Sequence, residues 1–155
     1  MSRIAKHLLP DTASANKVGH LEVGGCDLVA IAEQFGTPVF VYDEAHLRAR
    51  CAEAVKVFGR RQVVYATKAF LCGAMARLAH EEGLLLDVAT GGELFVALNA
   101  GVPGSACVLH GNNKSLDELK MALNAKVHHI VVDNFDELDR LDELHNQGLP
   151  RARIQ

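Results

Sequence analysis

The run Leu84-Leu85-Leu86-Asp87-Val88 decides the fold, because it is a short, almost continuously apolar segment followed by a helical pattern. Strands of this kind are typical of a sheet covered on both faces. Three further β-rich runs, each with a helical pattern after it, occupy residues 63–66, 107–110 and 129–133. The four units together predict helices at about 71–82, 92–99, 116–124 and 135–145.

The spacing of these units predicts a parallel sheet. Four strand-end positions are 22, 23 and 23 residues apart: Tyr65, Asp87, His110 and Asp133. A strand–helix unit repeated at that interval needs parallel strands, in either a TIM-like (β/α)₈ barrel or an open doubly wound sheet. A closed barrel has eight units and about 250 residues, so on the barrel reading the chain is an α/β half barrel of about four units. Residues 150–155 then read as the approach to a fifth strand.

The chain divides into three predicted regions. Residues 1–36 form an N-terminal lead-in with about 20 loosely ordered residues and then a short helix, which Asp27 caps and Gly36 ends. Residues 37–60 hold a predicted strand, Val39–Tyr42, and a helix of about 15 residues capped by Asp43. Residues 61–155 hold the four strand–helix units.

Composition excludes several classes of function. With 155 residues, 49% of them hydrophobic, the chain is long enough for a core and too apolar for a disordered protein. The net charge of −3 and the eight aromatic residues argue against a nucleic-acid partner. No apolar run predicts a secretory signal or a membrane span. The four cysteines form no CxxC pair, which indicates neither a zinc knuckle nor a redox site, and their low density fits a reducing cytosol.

Three strand ends carry polar residues that could do chemistry. Lys68 directly follows a predicted strand, where partial burial would favour the neutral amine needed for a Schiff base; an ordinary lysine reaching into solvent is the alternative. The segment Asp87–Glu93 offers two glycines for close approach to a ligand, but Thr90 and Glu93 also fit a helix capping box. The third segment, His110–Ser115, is unusually polar and ends in a second capping box, formed by Ser115 and Glu118.

Other site types are not indicated. The chain has no HExxH, GxxxxGK[ST], GxGxxG or GxSxG motif, which argues against metalloprotease, P-loop, dinucleotide-binding and serine-hydrolase chemistry. His128-His129 is a weak metal signal, because adjacent side chains on a strand point to opposite faces. We therefore predict no metal site. Asn134 and Glu137 are expected to cap the last helix and to be structural.

Four motifs in this order resemble one enzyme family: Phe40-Val41-Tyr42-Asp43, Tyr65-Ala66-Thr67-Lys68-Ala69-Phe70, Leu86-Asp87-Val88-Ala89-Thr90-Gly91-Gly92-Glu93-Leu94 and His110-Gly111-Asn112-Asn113-Lys114-Ser115. From about Gly25 to Ile154 the chain is similar to the N-terminal part of the diaminopimelate decarboxylases, most of all the actinobacterial ones. These belong to the alanine-racemase-like, fold-type III class of pyridoxal-phosphate enzymes.

The resemblance implies a cofactor, a reaction and a set of site residues. Lys68 would carry pyridoxal 5′-phosphate, with Asp87, Thr90 and His110 as further cofactor contacts and Asn112 at the mouth of the site. The reaction would convert meso-diaminopimelate to L-lysine and CO₂ in lysine biosynthesis. The resemblance also implies a cytoplasmic homodimer, a strand and helix before the barrel that belong partly to a β-rich second domain, and a second half of the barrel beyond Gln155.

Three alternatives stay open. The chain could be a truncated, non-catalytic fragment. It could belong to a related decarboxylase that acts on ornithine, arginine or a polyamine precursor. It could also be a four-unit open α/β domain with an unrelated ligand.

Overall fold

The computed structural model describes residues 4–155, so the first three residues of the predicted lead-in lie outside the described residues. The chain separates into two compact units, one reaching to Arg50 and the other running from Cys51 to Gln155. Within residues 4–155, no helix combines the length and the apolar character that crossing a membrane requires.

The N-terminal unit contains a small antiparallel sheet, whose first strand lies within the 20 or so residues that the sequence predicted to be loosely ordered. Its strands lie in the order β1 (Ser14–Ala15), β2 (Leu21–Val23) and β3 (Cys26–Asp27), and helix α1 (Leu28–Phe35) follows. Asp27 joins these parts, because its carboxylate accepts hydrogen bonds from Asn16 Nδ2 at 2.9 Å and from the Val29 N–H at 2.8 Å. The expectation of a loosely ordered lead-in is therefore wrong for Ser14 and Ala15, which pair with Glu22 and Leu21. The predicted helix and its Asp27 cap are confirmed.

Residues 37–60 follow the prediction in the helix but not in the strand. Helix α2 is Glu44–Phe58, and the Asp43 carboxylate accepts a hydrogen bond from the His46 N–H at 3.1 Å, as a capping residue does. The predicted strand Val39–Tyr42 is instead an irregular connection. A β-rich run becomes a strand only when a neighbouring strand lies alongside it, and neither described sheet includes this segment.

The second unit is built on a four-stranded parallel sheet, as predicted. Its strands lie in the order β4 (Val64–Ala66), β5 (Leu85–Val88), β6 (Cys107–Leu109) and β7 (His129–Ile130). The helices that follow them are α3 (Gly73–Glu81), α4 (Gly91–Asn99), α5 (Leu116–Ala125) and α6 (Phe135–Asn146). Ile154 forms a parallel bridge to Ile130, so the last residues do approach the sheet as a fifth strand would.

The register of the sheet corrects the predicted alignment of strand ends. Ala66, Asp87, Val108 and His129 lie side by side, each 21 residues after the one before. Tyr65 lies one position before this row, while His110 and Asp133 lie beyond it. The expectation that Tyr65, Asp87, His110 and Asp133 are equivalent is therefore wrong. Counting from the last residue of each apolar run misplaces them, because the runs extend different distances past the sheet.

The core of the second unit lies between the sheet and its helices. The central strands are buried along almost their whole length, and fully buried side chains come from both strands and helices: Leu86, Val88, Leu109, Leu94 and Leu119. Each helix after a central strand begins at a side-chain cap, so the loops between strand and helix are short and fixed at both ends. These loops carry the candidate site.

Candidate functional site

The candidate site lies at the carboxyl ends of β4, β5 and β6, the edge of a parallel sheet where ligand sites are usually built. Four of the five predicted site residues follow strand ends: Lys68, Thr90, His110 and Asn112. The fifth, Asp87, is the third residue of β5.

Lys68 lies in a 3₁₀ turn, Thr67–Ala69, that continues directly from β4. The turn is held at both ends, because the buried Thr67 hydroxyl donates to the Asp87 carbonyl at 2.7 Å and the Tyr65 hydroxyl donates to the Phe70 carbonyl at 2.6 Å. Lys68 itself is exposed and forms no hydrogen bond or ion pair with any residue in 4–155. The expected partial burial of this lysine is therefore not found, but its amine is accessible on a fixed backbone.

Asp87 and His110 come together above the sheet. Asp87 Oδ2 lies 3.9 Å from His110 Nδ1, a distance for an ion pair with a protonated imidazole and too long for a direct hydrogen bond. The side chains are 30% and 55% exposed, so both remain open to a ligand. Because Thr67 binds the backbone of Asp87, the turn that carries Lys68 is attached to the strand that carries this pair.

Thr90 acts as a helix cap, as the sequence predicted. Its hydroxyl oxygen accepts a hydrogen bond from the Glu93 N–H at 3.2 Å. The second half of the expected capping box differs, because Glu93 Oε2 accepts from the Ala89 N–H at 2.6 Å, one residue before the cap. The Thr90 hydroxyl hydrogen takes no part in the cap and could serve a ligand.

Glu118 is a connecting residue that sequence reasoning recognised only as a local cap. The Ser115–Glu118 capping box is present. The same carboxylate also accepts the Gly91 N–H at 2.8 Å, which joins the loop after β6 to the start of α4. The hydrogen bonds from Ser115 and Gly91 lower the pKa of Glu118. A contact across 27 residues leaves no local sequence signal.

The segment after β6 divides into an exposed and a buried part. His110 and Asn112 are exposed, and Asn112 makes no side-chain hydrogen bond within residues 4–155. Lys114 is buried and lies 2.9 Å from both carboxylate oxygens of Glu137 on α6, and it also donates to the Gly111 carbonyl. The sequence predicted Glu137 only as a cap partner. The Asn134 cap is confirmed, and the Glu137 side chain instead fixes the loop that presents His110 and Asn112.

His128 and His129 lie at the start of β7, and their rings do not diverge as expected. Their Nδ1 atoms are 2.7 Å apart, within hydrogen-bond distance. His128 precedes β7, so strand alternation does not apply to it. Among the described residues, no three metal-binding side chains gather at one point.

Comparison with known proteins gives a consistent result. Residues 44–155 match the family model described as pyridoxal-dependent decarboxylase, pyridoxal binding domain. The chain is 48% identical over 146 residues to a diaminopimelate decarboxylase of Mycobacterium bovis, covering 94% of this chain and 33% of that protein. It is 50% identical over 147 residues to one from Bacillus methanolicus, covering 92% and 34%. The chain therefore spans about one third of the length of the curated relatives it matches.

Solved structures similar to this chain are decarboxylases as well. The chain is similar to the crystal structure of diaminopimelate decarboxylase from M. jannaschii, with a TM-score of 0.77 and 30% identity, covering 89% of this chain and 33% of that one. It is similar at 24% identity and a TM-score of 0.68 to a lysine/ornithine decarboxylase from Vibrio vulnificus, covering 82% and 34%, a likeness of fold alone. Because the family model covers well over half of the chain, this chain belongs to the pyridoxal-dependent decarboxylases, with the parallel strands of the pyridoxal-binding domain.

Proposed function

We propose that this chain supplies the cofactor-binding part of a pyridoxal-phosphate-dependent decarboxylase that converts meso-diaminopimelate to L-lysine and CO₂. The observation that carries the proposal is the meeting of three strand ends at one edge of the sheet: an exposed lysine follows β4, and the next two strands bring a carboxylate and an imidazole to 3.9 Å from each other. Support for the substrate comes from the relatives, which are named diaminopimelate decarboxylases at 48–50% identity.

The residues present fit pyridoxal phosphate. The cofactor needs a primary amine for covalent attachment, and the exposed amine of Lys68 stands on a turn fixed by Thr67. It also needs polar groups around its ring, which Asp87, Thr90 and His110 would provide. When bound, the cofactor supplies a sink for the electron pair that departing CO₂ leaves behind.

The chain's own residues would hold the cofactor, orient the substrate and exchange a proton with a bound group. Lys68 would hold the cofactor through its side-chain amine. The His110 imidazole, whose Nδ1 lies 3.9 Å from Asp87 Oδ2, can donate or accept a hydrogen bond to a bound group. Asn112 would contact substrate at the mouth of the site, since its exposed amide offers both a donor and an acceptor.

The family resemblance also supports a cytoplasmic homodimer, and we include both in the proposal. The runner-up substrate class, ornithine or a related amino acid, is an outcome of the substrate experiment below.

Reductive trapping tests the role of Lys68. The chain is incubated with pyridoxal phosphate, reduced with borohydride, digested and mapped by mass spectrometry. We expect one reduced adduct, on the peptide containing Lys68, and its loss in Lys68→Arg. Lys120→Arg on α5 is the matched control and should keep the adduct. An adduct spread over many surface lysines, or one that survives Lys68→Arg, would contradict the assignment.

A competition assay tests the substrate. The assay uses the protein encoded by the complete reading frame that contains this chain. It receives meso-diaminopimelate and ornithine together in two reactions, and the ¹³C-labelled carboxyl group is on diaminopimelate in one and on ornithine in the other. We expect labelled CO₂ from diaminopimelate at a rate at least about tenfold above that from ornithine, which corresponds to about 1.4 kcal/mol in transition-state free energy. Preference for ornithine would overturn the substrate while leaving Lys68 as the cofactor residue.

A further inference from the structure

A second cleft lies at the opposite end of the sheet from Lys68. Its polar lining residues come from the segments that lead into the strands, whereas the candidate site is built from the loops that leave them. The cleft has a volume of about 570 Å³, within the usual size of a small-molecule site. The residues that line it with charge or hydrogen-bonding groups are Arg61, Ser105, Lys126, His128, Arg151 and Arg153.

The cleft concentrates positive charge in a chain whose net charge is −3. Two arginines and a lysine from different loops, Arg61, Arg153 and Lys126, line it together with Arg151, and no Asp or Glu is among the lining residues. None of these four cations forms an ion pair within residues 4–155. Asp142 borders a neighbouring cavity that shares Arg151, but it makes no ion pair with that arginine. Like charges brought together without a counter-charge repel each other, so the cleft favours an anion.

Two of the cleft's cations stand on unusual backbone. Arg61 has φ 62° and Lys126 has φ 52°, and these are the non-glycine residues with positive φ in the described part of the chain. Left-handed backbone favours glycine and asparagine, and long side chains adopt it at a cost. Lys126 adopts it as the C-cap of α5, a position where helices commonly end in this conformation and where glycine is preferred. That both carry a positive charge into the same cleft points to a role for those charges.

The arginines are placed to bind an oxyanion. Arg61 Nη2 donates to the Ser105 carbonyl at 2.5 Å, which fixes the guanidinium at the edge of the cleft and leaves other N–H groups free for a ligand. Guanidinium groups match the oxygens of phosphate in a two-pronged geometry. Burial lowers the pKa of His128, and the charges of His129, Arg61 and Arg153 lower it further, which is the response expected in a positive field.

We propose that this cleft binds a multiply charged oxyanion of the phosphate or pyrophosphate class, at a site separate from the one that Lys68 serves.

Calorimetric titration with inorganic pyrophosphate tests the proposal. The 155-residue chain at low ionic strength should bind about one equivalent saturably, and affinity should fall as salt is added. Lys126→Gly is the informative variant, because glycine suits φ 52° and the fold should be at least as stable as before. We expect it to weaken binding about tenfold or more, the loss of one charge-assisted contact. Arg153→Gln should do the same on ordinary backbone.

The matched control is Arg77→Gln on the exposed face of α3, which removes one positive charge away from the cleft. It should leave the affinity unchanged. The absence of saturable heat, equal binding of chloride and pyrophosphate, or an equal loss of affinity in Arg77→Gln and in the two cleft variants would each overturn the proposal. Circular dichroism of every variant shows whether it is folded, and a loss of binding counts only for folded protein. Lys126→Gly and Arg153→Gln test the cleft independently, so one folded variant is enough to decide.

Discussion

Single side chains fix the loops of the candidate site, and Glu118 does so for two of them. Its Oε1 accepts the Gly91 N–H at 2.8 Å, and its Oε2 accepts the Ser115 N–H and hydroxyl at 2.9 Å each. A charged acceptor makes hydrogen bonds about twice as strong as a neutral one. Gly91 is suited to this contact, because a Cβ there would stand 3.0 Å from Glu118 Cγ. The loops that follow β5 and β6 are thus held at a common point.

Glu118→Gln should lower the free energy of unfolding by about 1–2 kcal/mol at pH 7, because the amide keeps one acceptor and loses the charge. The folded state lowers the pKa of Glu118 below its ordinary value of 4.5. The stabilisation is therefore fully present above about pH 4.5 and is lost as the pH falls through the lower folded-state value. Urea denaturation of both proteins from pH 7 to pH 3 measures the difference. Asp117→Asn, an exposed neighbour on α5, is the control; a difference that does not shrink toward pH 3 would contradict the charge-based explanation.

Local chemistry at single residues could be predicted, and contacts between distant residues could not. The caps formed by Asp27, Asp43 and Ser115 depend on residues two or three positions away, so their spacing is visible in the sequence. The placement of Lys68 after a strand is visible for the same reason. The bond from Thr67 to the Asp87 carbonyl and the bond from Gly91 to Glu118 join residues 20 and 27 apart, and they depend on the register of the sheet.

At the scale of helices and strands, a buried ion pair links the loop after β6 to helix α6. Lys114 and Glu137 are each 2% exposed, and Lys114 Nζ lies 2.9 Å from both carboxylate oxygens. Arg140 Nη1 also donates to the Lys114 carbonyl at 3.2 Å. Removing one partner of such a pair leaves a charge in a poorly solvated place, whereas removing both leaves none.

Lys114→Met should therefore lower the free energy of unfolding by about 3–5 kcal/mol, since Glu137 would be left buried and unpaired. The double variant Lys114→Met/Glu137→Leu should recover a large part of that loss. Thermal and urea unfolding of the two single variants, the double variant and the parent complete the cycle. Additive losses in the two single variants would mean that the pair does not couple the loop to α6.

The helices and strands of the second unit could be predicted from the sequence because each follows an apolar or amphipathic run, and three of the four helices that follow the strands begin at a side-chain cap. Helix α6 was expected at about 135–145 and is Phe135–Asn146. The alignment between strands could not be predicted in this way. It depends on which residues of neighbouring strands pair, and no local pattern shows that. The strand predicted at Val39–Tyr42 is absent for a related reason: the composition of this segment suits a strand, but a strand also needs a neighbouring strand to pair with.

At the scale of the molecule, the parallel sheet has an open edge. β4 is the last strand on its side of the four-stranded order, and Val64 within it is 45% exposed. An exposed edge strand presents backbone groups that can pair with another chain. Large apolar side chains are exposed elsewhere on the same unit, including Phe58, Phe95 and Phe135 at 68%, 59% and 84%. These features favour association of the 155-residue chain with a further sheet or with itself.

The 155-residue chain should therefore self-associate as its concentration rises, and a charge on the open edge should oppose this. We expect the weight-average mass from sedimentation equilibrium to increase over the micromolar range, and Val64→Lys to move the onset to roughly tenfold higher concentration, because an edge lysine must be desolvated for strands to pair. Val18→Lys makes the same change at a residue that is 73% exposed and outside both sheets, so it should leave the onset unchanged. Equal effects of the two substitutions would show that net charge governs association, and a monomer at all concentrations would show that the edge of β4 does not pair.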